Sequence, residues 1–469
     1  YNRYLFERYE RYPFSDIFIN VLVHYCQYIV AFSASYYRLR RVLGGYEPAF
    51  FRIELEFPFY NAMHSILNLA PKDLSVFVHE YIHFIQDIST FSGLNNAYVY
   101  SEYIHGAVTH IYKMPKGDIE VPIALPSNYG NIELNQFVNE IGLGWTDEEV
   151  TNLFISKLKK NRVRVPFNSY LSTVDEVFII QVNGKKLPFG AHAIRESMAY
   201  ILEHCITDGS PSAPDYPYNA AFAVAKHVYE DFCENELNVL ALCDMCLQFS
   251  VPGRIFVETL EGYKKDKYIP KDPRDIYDFF YNRPCIQIQS YSTLLSGLLP
   301  FGIFVGERIN DYYKDPLFSR FHDIVRRLIG TGLSIRLNAR SFLIDMAEIG
   351  LRNKRKLEKN DLFMMLYAQL GTPVIKDSES NYFITPPYQM AGNTAVSYFQ
   401  AIQQFIYLFR DGNTCCSLYE WCEKSSDSHY DDRCIMEPWS RCDDERLCPF
   451  ALLWKHWNLR GHTPVERYS

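Results

Sequence analysis

Basic charge is in short supply in this sequence: 47 Lys and Arg stand against 55 Asp and Glu, for a formal net charge of −8. That balance leaves no basic footprint, so nucleic acid is not an expected partner. Long apolar runs are scarce too. The stretch from Ile17 to Tyr37 comes nearest to a signal or membrane segment, but Asn20, His24 and Gln27 interrupt it, and no small-residue cleavage site follows. A buried helix is expected there, and no membrane. Leu294 to Val305 is too short to span and carries Pro300 and Gly302. The chain opens on Tyr1 rather than Met, so its true start is expected upstream. Without an export signal the twelve cysteines are expected as reduced thiols or metal ligands in a cytoplasmic protein, rather than as disulfides.

What is present in quantity is apolar and aromatic. Of 469 residues, 48% are hydrophobic and only 22% charged, as in a globular chain with a sizeable core. The length suggests two to four domains, or one large elaborated one. Tyr (36) and Phe (33) are in surplus, and fill cores or surfaces that meet a regulatory partner or a second copy.

The most informative stretch is His79-Glu80-Tyr81-Ile82-His83, inside the unbroken run Leu74 to Ile88. Neither Pro nor Gly interrupts the run, and its apolar residues recur at helical spacing, so a helix is expected. Positions i and i+4 share a face, which points both imidazoles the same way, as two corners of a zinc site. Glu80 can then reach a water held by the ion and serve as its general base. Val76, Phe77, Val78, Ile82, Phe84 and Ile85 make the helix apolar nearly all round, so it should be buried. A buried helix that also carries His, Glu, His and Asp needs partners for all four, and a metal satisfies three. With this H-E-x-x-H pattern the chain resembles the zincin metallopeptidases.

A second helix is expected from Gly190 to His204, behind a hairpin of Val174–Val182 and Lys185–Phe189 turned at Asn183-Gly184. Within it, Glu196-Ser197-Met198-Ala199 looks like the E-x-x-A segment that supplies the glutamate ligand in gluzincins, and the resemblance makes Glu196 the third ligand. The separation of 113 residues from His83 (196 minus 83) exceeds that of thermolysin-like enzymes, and their E-x-x-x-D form is missing. His192 and Tyr200, four residues to either side of Glu196, are the expected oxyanion donors. Asp87, one turn past His83, is the expected carboxylate that orients a ligand histidine. In zincins a sheet precedes the metal helix and its edge strand receives extended substrate; Phe51–Phe57, alternating apolar and charged, is the expected half-exposed strand of that sheet.

The same residues leave other readings open. Glu80-Tyr81-Ile82-His83 recurs as Glu102-Tyr103-Ile104-His105, and paired E-x-x-H units build the di-iron site of ferritin-like oxidases. Glu102 also stands as an alternative third zinc ligand. A third reading is a non-catalytic assembly partner that retains a structural metal. Elsewhere, helices are expected for Asn95–Met114, for Thr146 to about Lys160, and roughly for Ala220–Cys233, Leu237–Phe249, Pro273–Tyr281, Leu317–Leu328 and Ser341–Ile349. Ser92-Gly93 reads as a turn, Asp118–Leu125 as a strand, and Thr372–Lys376 with Tyr382–Thr385 as a hairpin. Cys243-x-x-Cys246 has no second pair and reads as buried thiols. Cys415, Cys416, Cys422, Cys434, Cys442 and Cys448 crowd into the last sixty residues, a density that suggests a second, structural zinc or an iron–sulfur site.

The expected fold is therefore α+β and mostly helical. An N-terminal helical extension (1–48), closed by Gly44-Gly45, precedes a zincin-like catalytic core with a small sheet (49–207). A large helical domain (208–410) and a Cys-rich tail (411–469) follow. The expected function is a regulated intracellular zinc peptidase acting on a protein or peptide substrate.

Overall fold

Every residue from Ser75 to Ser89 is buried, so the helix that carries them is wrapped on all sides. The computed structural model describes residues 44–467 apart from 48–51, 63–64, 127–128, 166–172, 282–293, 312–318, 385–391, 417 and 425–429. The expected helices before residue 44, Ile17–Tyr37 among them, lie outside the described residues. Residues 41–469 form one compact unit.

Helix α1 (Pro71–Ser89) starts with Pro at its first position and Asp73 in its first turn, both favourable at a helix N-terminus. It ends at Thr90, whose hydroxyl accepts from Gly93 N at 3.1 Å and so caps α2 (Phe91–Lys113). The break expected at Ser92-Gly93 thus falls two residues earlier. Gly93 lies within the first turn of α2, where an added Cβ would stand 2.3 Å from Asp87 Cα; glycine lets the two helices turn this tightly.

Ahead of α1 come β1 (Gly44–Glu47) and β2 (Arg52–Leu55), antiparallel to each other. Gly44-Gly45 therefore opens a strand rather than closing helices. A Cβ on Gly44 would meet Val76 Cγ1 at 2.8 Å, so only glycine lets the strand lie this close to α1. Strand β2 was expected to be half exposed, yet all four residues are buried. Its charges are neutralised internally: Arg52 pairs with Glu54 at 2.5 Å and donates to Gln400 at 2.6 Å and to Gln403.

The chain continues through β3 (Gly117–Val121), α3 (Gly130–Leu143), β4 (Ile155–Arg164), β5 (Thr173–Gln181), β6 (Lys186–Pro188) and α4 (Ala191–Ile206). The β5–β6 hairpin appears where Asn183-Gly184 called for it, with Gly184 at φ +82°. The helix expected from Thr146 is absent. Thr146 Oγ1 accepts from Glu148 N at 3.2 Å, but this turn does not propagate, and Ile155–Arg164 pairs antiparallel along β5. The capping signal was genuine, but a neighbouring strand offered the segment a ladder, and such context outweighs propensity.

A helical layer covers the other side of α1 and α4. It comprises α5 (Ala220–Val228), α6 (Glu236–Cys246), α7 (Pro252–Asp266), α8 (Arg274–Tyr281), α9 (Leu294–Asp311), α10 (Ser319–Asn338), α11 (Phe342–Arg352) and α12 (Asp361–Leu370). Cys243 and Cys246 on α6 are fully buried free thiols. Then β7 (Val374–Lys376) joins β2 in parallel and β8 (Tyr382–Phe383) closes the sheet order β1-β2-β7-β8. Finally come α13 (Gly392–Asp411), α14 (Pro449–His456) and β9 (His462–Glu466), the last parallel to β3. The protein is thus α+β and mostly helical. No helix among the described residues is long and apolar enough to cross a membrane.

Two features hold α1 in place. Tyr81 donates to Gly371 O at 2.8 Å and packs among Phe77, Phe363 and Tyr367, where part of the aromatic surplus is spent. At the C-terminal end of α1, Arg336 donates to Ser89 O and Ser89 Oγ, both at 3.3 Å, which satisfies a terminal carbonyl. Arg336 is fully buried and neutralised by Asp244, which also accepts from Tyr277 at 2.8 Å.

The second E-x-x-H unit, on α2, has a different environment. Glu102 pairs with Arg308 of α9 at 2.5 Å. Burial, followed by the charge of Arg308, pushes His105 down to about 4. An unfolded chain takes up this proton near pH 6.5, its ordinary value, whereas the folded chain refuses it until about 4. Stability present above 6.5 should therefore fall by about 3 kcal/mol as the pH drops through that window. His105→Gln should flatten the dependence, measured by denaturant unfolding across the same range.

Candidate metal centre

Helix α1 presents His79 and His83 from one face, and α4, packed against it, presents Glu196. The three ligand side chains form a tight triangle in which the carboxylate meets each histidine through a different oxygen. His79 Nε2 lies 3.2 Å from His83 Nε2 and 3.2 Å from Glu196 Oε2, and His83 Nε2 lies 3.3 Å from Glu196 Oε1. Among the described residues this is the only group of three or more His, Cys, Asp or Glu ligand atoms within 4.8 Å of one another.

The tautomers follow from the far side of each ring. His79 Nδ1 faces Glu203 Oε2 at 3.0 Å, and His83 Nδ1 faces Gln86 Oε1 at 2.8 Å. Gln86 is oriented in turn, since its Nε2 donates to Arg195 O at 3.1 Å and its Oε1 accepts from Arg195 Nε at 3.2 Å. Both Nδ1 atoms therefore carry hydrogens, and both Nε2 lone pairs are aimed at the same point as a carboxylate. Three electron-rich atoms gathered this closely repel one another unless a cation lies among them. Without a metal, a proton takes that part. Burial opposes charge on His79, but hydrogen bonds to Glu196 and Glu203 outweigh it and hold the imidazole well above its ordinary range. Glu196, despite its burial, is held well below the carboxylate range by the charge of His83 and by hydrogen bonds to both histidines. Zinc bonds of ~2.0–2.1 Å at tetrahedral angles imply ligand separations of about 3.3 Å, so the donor set fits zinc in both chemistry and size.

Glu80 is 7% exposed, and nothing among the described residues hydrogen-bonds its carboxylate. Burial raises it to about 7, the charges of His79 and His83 oppose the rise, and those of Glu196 and Glu203 add to it. A buried base near neutrality beside a cation site is poised for proton transfer.

Several expectations need revising. Asp87 does not orient a histidine: it accepts from Arg195 Nη2 at 2.6 Å and from the Tyr46 hydroxyl at 3.1 Å. Glu203 and Gln86 do the orienting instead. Glu203 lies seven residues past Glu196, two helical turns along the same face, which is a signal that spacing could have supplied. Ser75 donates to its other oxygen at 2.5 Å. Glu203→Gln should keep the fold and weaken zinc affinity by ~10–100-fold, read in a chelator competition.

His192 sits at the site, with Nδ1 3.9 Å from Glu196 Oε1. Tyr200 lies one ring further out, 4.0 Å from the ring of His204 and 6.0 Å from that of Tyr218. The tyrosine that faces the centre is Tyr218, in the short helical turn Asp215–Tyr218. Its ring is 5.7 Å from that of His79. Burial, then the charges of Glu196 and Glu80, push its hydroxyl well up, so it remains a donor. Glu102 and His105 contribute nothing here. Arg308 neutralises the first and presses on the second, and a guanidinium is a poor neighbour for an iron. No family model, curated protein or solved structure compared with the chain matches it.

Proposed function

We propose that the protein is a zinc-dependent peptidase that hydrolyses peptide bonds in a protein substrate. The observation that carries this reading is the triangle of His79, His83 and Glu196, with edges of 3.2 to 3.3 Å, beside a buried glutamate free of hydrogen bonds among the described residues. Zinc held by these three would act as a Lewis acid toward a water and the scissile carbonyl, and would keep a fourth position open. Glu80 takes the proton of the attacking water and passes it to the leaving amine. The hydroxyl of Tyr218 and the ring of His192 donate to the oxyanion that forms on the carbonyl. Among the described residues strand β1 is an edge of its sheet, and Gly44 brings it within reach of Glu80, whose Cγ would lie 3.5 Å from a Cβ there. An extended substrate added along that edge would pass Glu80. The free thiols among the described residues support a reducing, cytoplasmic setting.

The test compares cells expressing wild type with cells expressing Glu80→Gln and looks for proteins cut only by the former. Identical fragment patterns, at equal expression and metal content, would sink the reading. On a peptide spanning an identified cut, Tyr218→Phe should lower kcat by ~10²–10³ with little change in KM, as loss of one oxyanion donor does. An unchanged kcat would remove Tyr218 from the mechanism.

A further inference from the structure

The C-terminal segment folds with little regular structure of its own. Short helical turns at Tyr419–Lys424, Arg433–Met436 and Pro438–Asp443 lead into α14, and stacking of Phe405 on Phe450 at 4.5 Å ties α14 to α13. Of its six cysteines, four converge. Cys416, Cys422 and Cys434 are buried, and Cys448 is half-buried at the N-cap of α14. Cys416 N donates to Cys434 O at 3.2 Å, which joins two of the segments. All six pairs among the four thiols lie within electrostatic reach of one another. Cys415 is exposed, and the charges beside Cys442 are those of Asp443, Arg460 and Lys455.

Two of the sulfurs already receive hydrogen-bond donors. Arg441 Nη1 lies 3.0 Å from Cys434 Sγ, and Ala451 N lies 3.4 Å from Cys448 Sγ at a helix N-terminus. Guanidinium and backbone N–H groups aimed at sulfur are the outer partners that thiolate–metal centres use.

We propose that Cys416, Cys422, Cys434 and Cys448 form a second metal centre, a closed four-thiolate zinc site that ties the parts of the C-terminal segment to one another. No three of these sulfurs lie within 4.8 Å of one another. A tetrahedral zinc with bonds of ~2.3 Å needs them about 3.8 Å apart, so the set contracts onto the ion. Cys422 and Cys434 sit on short turns and Cys416 in irregular backbone, so this contraction needs no long element to move. Binding releases the thiol protons, which makes occupancy pH-dependent. The site stands independently of the peptidase reading, because it shares no residue with the His79 centre.

The experiment uses the full chain. Zinc content should be two per chain in wild type, one in Cys422→Ser/Cys434→Ser, and one in His79→Ala. Cys415→Ser and Cys442→Ser should retain both ions. Because loss of thiols can unfold the tail, the same point is tested on wild type by cobalt exchange. A four-thiolate site gives intense sulfur-to-cobalt charge transfer, which a His2Glu site cannot produce. That band should survive in His79→Ala and vanish in the double cysteine variant. Absence of the band in wild type, or iron with acid-labile sulfide in its place, would overturn the proposal. One zinc per chain that persists in His79→Ala and is lost with the cysteines would refute the peptidase centre and leave this one standing.

Discussion

Glu80→Gln is expected to abolish proteolysis while leaving the metal content unchanged. Glutamine matches glutamate in size, so the space beside Gly44 and Val76 is filled as before. An amide cannot accept a proton at neutral pH, and loss of a general base typically lowers rates by ~10²–10⁴. Neither ligand histidine touches Glu80 through its Nδ1, since those atoms are taken by Glu203 and Gln86. The triangle should therefore hold its ion. Removing a buried carboxyl raised to about 7 also removes an ionisation that burial opposes. The metal-free variant should accordingly be no less stable than metal-free wild type, and its advantage should grow as the pH rises from 4.5 to about 7 and stay level above that. Zinc analysis, fragment detection and thermal unfolding of the same preparations check all three outcomes. Undiminished cleavage by Glu80→Gln would eliminate the mechanism, whatever else the protein binds.

How far the sequence led depends on the range of the interactions involved. Helix α1 was legible because its signals are local: no breaker, apolar residues on every face, and two histidines four apart. Glu196 was legible through a four-residue segment of known form. The orienting groups were not. Asp87 shares a face with His83, but so does Gln86 at three residues' distance, and helical spacing alone does not choose between them. Arg195, more than a hundred residues away, takes Asp87 and leaves His83 to Gln86. Tyr218 was missed for a similar reason. It reaches His79 only because Ser197 Oγ donates to Pro217 O at 3.0 Å and accepts from Ala221 N at 3.0 Å, pinning the loop across α4. Strand β2 reversed an expectation about exposure. Alternation marks a strand correctly, but partners for Arg52 on a helix some 350 residues away, and Arg52 itself for Glu54, let both faces be covered.

The third ligand provides the sharper separation between readings. Glu196→Ala should reduce zinc affinity by more than the ~10–100-fold that loss of an orienting partner produces, and activity should vanish with the metal. Two imidazoles would remain, each still held by its own partner, but the negative charge that balances the cation would be gone. Glu102→Ala should bind zinc normally, because its carboxylate belongs to Arg308 at 2.5 Å. Its effect should appear in stability instead: Arg308, keeping Asp311 at 3.7 Å, would lose its short partner beside His105, which already resists protonation. The two variants therefore move different observables. Zinc retained by Glu196→Ala and lost by Glu102→Ala would transfer the third corner of the site to α2, and the triangle on which the peptidase reading rests would no longer describe the metal centre.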